Sequence, residues 1–120
     1  MTTPTTRART RTRQRSTGAQ STDVTHRKDG QETALKEDAK AVVVEGVHPT
    51  PAYVRVTGGA THNMGNYESV RVSVSVEMPC DPNEDAVRNT YQQLSQWVDS
   101  MIQQETDLAL GEQDHDAQAL

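Results

Sequence analysis

One segment of the chain alternates strictly between apolar and polar residues. From Tyr67 onward, valine or methionine recurs at every second position from residue 70, and serine, arginine and glutamate lie between them. Because successive side chains of a strand point to opposite faces, this period of two predicts an antiparallel strand with one buried and one solvated face. Pro79 ends the predicted strand, since proline cannot continue a hydrogen-bonded ladder. The apolar positions are Val70, Val72, Val74, Val76 and Met78.

Two segments upstream of this strand also favour β-structure. Residues 51–57 alternate in the same way, with Tyr53 on one face and Val54 on the other. Residues 39–49 are apolar and β-branched until glycine and proline interrupt them, so we expect a short strand there. Residues 58–66 are rich in glycine and asparagine, which tolerate positive φ, and this composition predicts a hairpin loop.

The segment after Pro79 carries the signals of a helix start. Asp81 is placed as an N-cap, Pro82 as the first helical residue, and Glu84 lies three residues after the cap. We expect the helix over residues 82–107, with Gly111 as its stop. Its apolar stripe recurs at steps of three and four residues and comprises Val87, Tyr91, Leu94, Val98, Met101 and Ile102.

Together these elements predict an α+β fold for residues 39–110. The expected architecture is a small antiparallel two- or three-stranded meander packed on one C-terminal helix. A core of this size supplies only about 3–5 kcal/mol. We therefore expect a homo-oligomer, or docking on a partner.

The two ends of the chain differ from this central region in composition. Residues 1–38 contain almost no apolar residue, so ordering them would lose chain entropy with no burial to offset the loss. We expect residues 1–38 to form a disordered arm rich in arginine and threonine, and residues 111–120 to form a disordered acidic tail. The whole chain has 120 residues, of which 32% are hydrophobic and none is phenylalanine, so only part of it is expected to bury a core.

Charge is divided unevenly along the chain. Residues 1–28 carry seven basic side chains and one acidic one, whereas residues 29–120 carry five basic and sixteen acidic side chains. Arginines that neutralise phosphates release counterions, which gives affinity for nucleic acid without regard to sequence. The alternative is a solvated tail, because no aromatic residue is interleaved for base stacking. The candidate nucleic-acid-binding residues are Arg7, Arg9, Arg11, Arg13 and Arg15.

Three aromatic residues are candidates for an interface. Tyr53 and Tyr67 are expected to flank each other on the solvated face of the hairpin, where they either pack together or form a binding platform. Trp97 lies beside the apolar stripe of the helix, so it belongs either to the core or to a dimer interface.

Residues with catalytic or metal-binding chemistry are sparse. The four histidines are scattered, and the single cysteine, Cys80, allows neither an intrachain disulfide nor a cysteine pair for a metal. No catalytic triad, motif of paired carboxylates or phosphate loop is present. We expect a protein that is not an enzyme, with no cofactor and no metal. The longest aliphatic run, residues 41–44, is too short to span a membrane, and no secretory signal is evident, so we expect a cytoplasmic location without membrane association.

The segments NMGNYESVRVSVSVEMPC and AVRNTYQQLSQWVDSMIQQE resemble parts of a group of short, largely uncharacterised phage proteins. Those proteins share an Asn-x-Gly-Asn-Tyr-Glu-Ser turn that leads into an alternating valine strand, followed by a proline and an acidic amphipathic helix. The resemblance covers residues 52–106. It implies a phage origin, a β-hairpin-plus-helix fold and a location in the infected host cell. It implies no catalytic residue, and the arginine-rich arm lies outside it.

Two functions fit these features. The first is a small phage-type accessory protein that binds DNA, RNA or another polyanion non-specifically through its basic arm. The alternative is a protein-interaction module that binds a host or phage protein, such as an inhibitor of a host enzyme or defence protein. An acidic body favours this alternative, because it can mimic the charge of DNA and approach basic surfaces.

Overall fold

A computed structural model of the protein describes residues 13–118, and describes side chains for residues 13–111. The fold is α+β, with a four-stranded antiparallel sheet and one C-terminal helix. The elements are β1 (Gln14–Lys28), β2 (Gln31–Val47), β3 (Ala52–Gly65), β4 (Glu68–Cys80) and α1 (Glu84–Gln118).

The sheet consists of two long hairpins laid side by side. Its strand order is β2-β1-β4-β3, so the first strand of one hairpin pairs with the last strand of the other. The connection over residues 48–51 therefore passes from one edge of the sheet to the other. The prediction of a two- or three-stranded meander is wrong: the sheet has four strands, and its order is not sequential.

Both hairpins are closed by two-residue turns in which both residues have positive φ. The values are 52° and 82° at Asp29 and Gly30, and 53° and 61° at Asn66 and Tyr67. Positive φ at both central residues is characteristic of the type I′ turn, whose twist matches the right-handed twist of paired strands.

The expected disorder of residues 1–38 is wrong for residues 14–38, which form β1 and the first part of β2. The physical reason lies in the neighbouring strand. β1 lies between β2 and β4, where Thr22 faces Val74 and Val24 faces Val72 across the ladder. Both β1 residues are buried at 2% exposure. Their burial against the β4 valines offsets the chain entropy that is lost when β1 becomes ordered, which the polar composition of β1 by itself does not predict. Residues 1–12 lie outside the described residues.

The expected hairpin loop at residues 58–66 is also wrong, because β3 continues to Gly65. The glycine at the start of this segment serves packing instead of turning. A Cβ atom on Gly58 would lie 3.0 Å from Cδ1 of Ile102 and 3.1 Å from Cγ1 of Val98. The absent side chain therefore allows α1 to approach the sheet closely.

The alternating strand predicted from residue 67 onward is confirmed as β4, and it forms the centre of the core. Its predicted end at Pro79 is wrong, because β4 pairs with β3 through Pro79 to Cys80. Its valines line the face of the sheet on which α1 packs, and α1 lies over β3 and β4. The buried apolar cluster comprises Val24, Val54, Val70, Val72, Val74, Val76, Leu94, Val98 and Ala109. The odd-numbered β4 residues face the opposite side of the sheet, which no described element covers.

The helix begins and ends later than predicted. Asn83, not Asp81, is the N-cap, since its Oδ1 accepts a hydrogen bond from the backbone N–H of Ala86 at 2.8 Å. The helix passes through Gly111 and ends at Gln118, so the expected stop and the expected disorder of residues 111–118 are wrong. Its buried stripe is displaced accordingly toward the C-terminal end, and the predicted stripe residues Val87 and Tyr91 are 37% and 55% exposed.

Candidate nucleic-acid interface

Two of the five candidate arginines lie in the described part of the chain, and both are held by carboxylates. Arg13 binds Asp81 through both terminal nitrogens, with Nη2 donating to Oδ2 at 2.9 Å. Arg15 donates from Nε to Oε1 of Glu45 at 3.0 Å. The remaining three, Arg7, Arg9 and Arg11, lie outside the described residues.

The pair between Arg13 and Asp81 changes the ionisation of both groups. The hydrogen bond from the guanidinium lowers the pKa of the Asp81 carboxyl below its ordinary value, and desolvation opposes this only in part. The same hydrogen bond raises the pKa of Arg13. Since both side chains are substantially exposed, solvent screens the pair and its contribution to stability is small. Its structural effect is to hold the start of β1 next to Asp81, just after the end of β4.

Four other cations have no carboxylate within 4.0 Å among the described residues, and sequence analysis did not single them out. Arg27 faces Ser69 across the β1–β4 ladder, and Arg71 follows Ser69 by two positions on β4. The two arginines are thus diagonal neighbours on the uncovered face of the sheet. The four cations are Arg27, Lys28, Lys40 and Arg71.

The surroundings of this arginine pair are mixed in charge. Glu32 lies opposite Arg27 across the β1–β2 ladder, and Asp23 lies diagonal to Arg71 across the β1–β4 ladder. On the other face, Nε2 of His26 lies 2.8 Å from Oε2 of Glu68. A mixed surface of this kind attracts a polyanion less than residues 7–13, which carry four arginines and no carboxylate.

The three candidate aromatic residues lie apart. Tyr53 is at the start of β3, opposite Pro79, and its hydroxyl is 3.0 Å from Oγ of Ser16. Tyr67 is in the turn at the other end of the hairpin, so the expectation that the two tyrosines flank each other is wrong. Trp97 is half-buried and packs against the core cluster.

Tyr67 is the most unusual of the three. It is 91% exposed, and its φ of 61° places a bulky residue in the left-handed region. Such a conformation is strained for a bulky residue such as tyrosine, whereas asparagine and aspartate tolerate it. The exposed ring packs against almost nothing in its own chain, so no side-chain packing offsets this strain, although the backbone carbonyl of Tyr67 accepts a hydrogen bond from the N–H of Asp29 at 3.4 Å. Asn66 was a turn signal in the sequence. The glycines at 58 and 59 nevertheless led to a predicted loop over residues 58–66, most of which belong to β3.

The described residues offer little catalytic or metal-binding chemistry. They contain no group of three or more His, Cys, Asp and Glu side chains able to hold a metal ion. Cys80 is a free, half-buried thiol. Within residues 13–118, no helix has the length and apolar character needed to cross a membrane.

Comparison with protein-family models, with curated proteins and with solved structures finds no match for this chain. Its own residues must therefore indicate its function. Two features bear on it: the five arginines between residues 7 and 15, of which Arg13 and Arg15 are held by carboxylates, and the strained, exposed Tyr67.

Proposed function

We propose that the protein is a small, non-enzymatic, phage-type accessory protein that binds nucleic acid non-specifically through the arginines preceding β1. The observation that carries this proposal is the separation of charge. Residues 1–12 contain Arg7, Arg9 and Arg11 and no carboxylate, whereas residues 13–111 contain nine basic and fourteen acidic side chains.

The ion pairs divide the five candidate arginines into two groups with different roles. Arg13 and Arg15 each share their charge with a carboxylate of the body, so they fix the start of the sheet. Arg7, Arg9 and Arg11 precede this anchored point and supply the positive charge for phosphates. The affinity for nucleic acid is thus expected to depend on three arginines more than on five.

Binding of this kind is sequence-independent. Arginine contacts to phosphate release condensed counterions and position the protein, but they read no base edge. The acidic body repels a polyanion, so contact is confined to the N-terminal residues.

The direct test is fluorescence anisotropy with labelled DNA and RNA oligonucleotides at low salt. Full-length protein is compared with a variant in which Arg7, Arg9 and Arg11 are replaced by glutamine. The wild type is expected to bind, and the variant is expected to lose most of its affinity for every sequence tested. Binding that the triple variant retains in full contradicts the proposal.

A charge-matched control separates the arm from net charge. Replacing Arg27, Arg71 and Arg88 with glutamine removes the same three charges from exposed positions of the body. Affinity is expected to fall far less than in the arm variant. Equal losses from the two triple variants would show that overall charge, and not the arm, governs binding.

Tyr67 favours a second candidate function, that of a protein-interaction module. Tyrosine is enriched at binding hot spots, and Tyr67 lines a surface depression together with polar residues such as Asn63, Asn66 and Ser69. A partner pocket that buries the ring would offset the strain of the turn. The test is affinity capture from host lysate with wild type and Tyr67→Ala. One protein that is captured by the wild type and absent with the variant supports this function, and identical capture by both opposes it.

A further inference from the structure

The outer edge of β2 is open along most of its length. β2 is the first strand in the sheet order and pairs only with β1, so its other edge has no hydrogen-bonding neighbour among the described elements. Ala39, Lys40 and Ala41 are exposed, and Val43 is 57% exposed. A long open edge of this kind is a template for pairing with another strand.

The opposite edge of the sheet, β3, differs from β2 in how it is covered. α1 packs over β3 and β4, and residues such as Val98 contact β3 directly at Gly58. β2 is linked to α1 by the ion pair of Lys36 with Glu105. Every β2 side chain from residue 37 to residue 41 is exposed, on both faces of the sheet.

Two copies of one strand can pair about a two-fold axis only in registers that place one residue opposite itself. In any other antiparallel register, a residue whose N–H and C=O point toward the partner strand would lie opposite a residue whose N–H and C=O point away from it, so the hydrogen bonds would not form. The ladder of β2 with β1 is regular from Lys36 to Val44, with irregularities at residue 35 and after residue 44. The self-paired residue should therefore lie within residues 36–44.

Charge selects one register within this stretch. Centring the pair on Lys36, Glu37, Asp38 or Lys40 places that charged residue opposite its own copy, which is destabilising. Ala39 is the one centre within residues 36–44 that brings opposite charges together without such a self-pair. Centring it on Ala39 places Asp38 of each copy opposite Lys40 of the other. No centre beyond Lys40 brings opposite charges together. Lys40 has no carboxylate within 4.0 Å among the described residues of its own chain.

We propose that a second copy of this chain pairs with the edge of β2, antiparallel and centred on Ala39. The two sheets become one continuous sheet of eight strands, with both α1 helices on the same face. Each Asp38 forms an ion pair with Lys40 of the other copy. The dimer exists without nucleic acid and carries two sets of N-terminal arginines, so it raises avidity for a long polyanion without any new contact.

A charge-swap series measured by sedimentation equilibrium tests the pairing. Wild type is expected at twice the 13.2 kDa mass of the chain. Asp38→Lys and Lys40→Asp each place like charges opposite each other, so each variant alone is expected to associate at least tenfold more weakly. An equimolar mixture of the two restores complementary pairs and is expected to dimerise like wild type.

Three results overturn the proposal: a wild type that is monomeric at high micromolar concentration, single variants that dimerise as well as wild type, or a mixture that remains monomeric. Both substituted residues are exposed, and circular dichroism establishes that each variant is folded. Dimerisation that ignores the charge swap places the interface elsewhere and thereby contradicts this register.

Cross-linking supplies an independent readout of the register. In a Cys80→Ser background, Ala39→Cys faces its own copy at a Cα separation of about 4.5–5.5 Å, which lies within the range that a disulfide spans. Ala41→Cys, the matched control, faces Glu37 and has no cysteine partner. Rapid disulfide formation by Ala39→Cys alone supports the pairing, and equal rates at the two positions contradict it.

Discussion

Lys36 of β2 donates a hydrogen bond to Oε1 of Glu105 in α1 at 2.7 Å. Glu105 is 8% exposed, so the lysine neutralises a carboxylate that the fold buries. The hydrogen bond raises the pKa of Lys36 above its ordinary value, although desolvation opposes the shift. The pair fastens an outer strand to a helix that packs mainly over the two strands of the far hairpin.

Replacing Lys36 with methionine is expected to lower the free energy of unfolding by about 1–3 kcal/mol, because it leaves a buried carboxylate without its partner. Urea denaturation gives the measurement. Lys28→Met is the matched control, since Lys28 is exposed and has no carboxylate within 4.0 Å among the described residues; a change within about 0.5 kcal/mol is expected there. Equal effects at the two lysines would show that the pair contributes nothing specific.

Gly18 is expected to tolerate no side chain. A Cβ atom there would collide with the backbone carbonyl oxygen of Glu77 and lie 2.8 Å from the sulfur of Met78. Because backbone cannot move aside cheaply, Gly18→Ala should destabilise the protein by about 1–3 kcal/mol. Gly111→Ala is the control, since a Cβ on this helical residue meets no atom within 4 Å; it should stabilise the protein by up to about 1 kcal/mol. Thermal melts that shift in the same direction for both variants would contradict the packing described at Gly18.

Tyr67→Gly is expected to raise the free energy of unfolding by about 1–2 kcal/mol, because glycine adopts the left-handed conformation without strain. The exposed ring leaves no packing to lose. Tyr67→Ala keeps a Cβ in the strained position and is expected to leave stability nearly unchanged. If glycine and alanine prove equivalent in chemical denaturation, the turn carries no strain.

The hydrogen bond that lowers the pKa of Asp81 predicts a specific response to acid. A carboxyl whose pKa is depressed in the folded state stabilises the fold above its unfolded value of 3.8, and this contribution disappears as pH falls through the folded value. Asp81→Asn should therefore lose stability at neutral pH and show a smaller further loss below pH 3.8 than wild type. The free energy of unfolding of the two proteins is measured from about pH 6 down to about pH 2, a range that brackets the titration. If the two curves run parallel, Asp81 does not contribute to the loss of stability in acid.

The sequence alone located β4 because alternating valines indicate a strand without reference to any other segment. Such a strand requires only one apolar surface to pack against, and α1 provides it. β1 was missed because its composition is polar. Its order depends on two neighbours, and Val24 facing Val72 is a contact that no local pattern contains. The Asp29–Gly30 dipeptide, a strong hairpin signal flanked by segments long enough to form strands, was nonetheless present.

The candidate site was predictable only in part. Alternation placed Arg71 on the solvated face, and the structure agrees. The engagement of Arg13 with Asp81 joins residues 68 positions apart, so it could not be inferred from spacing. The same contact explains why Asp81 does not cap the helix. The strain at Tyr67 follows from a φ value, which composition does not reveal.

The salt dependence of nucleic-acid binding distinguishes the three N-terminal arginines from the two that are anchored to the body. The slope of log affinity against log salt is measured for wild type, for the variant with Arg7, Arg9 and Arg11 replaced by glutamine, and for the variant with Arg13 and Arg15 replaced. We expect the slope of the first variant to flatten by roughly 0.7–0.9 for each phosphate that the protein no longer neutralises. The slope of the second variant should stay close to that of wild type, because its arginines already pair with Asp81 and Glu45. A wild-type affinity that does not change with salt, or an equal flattening in both variants, would contradict binding through the N-terminal arginines.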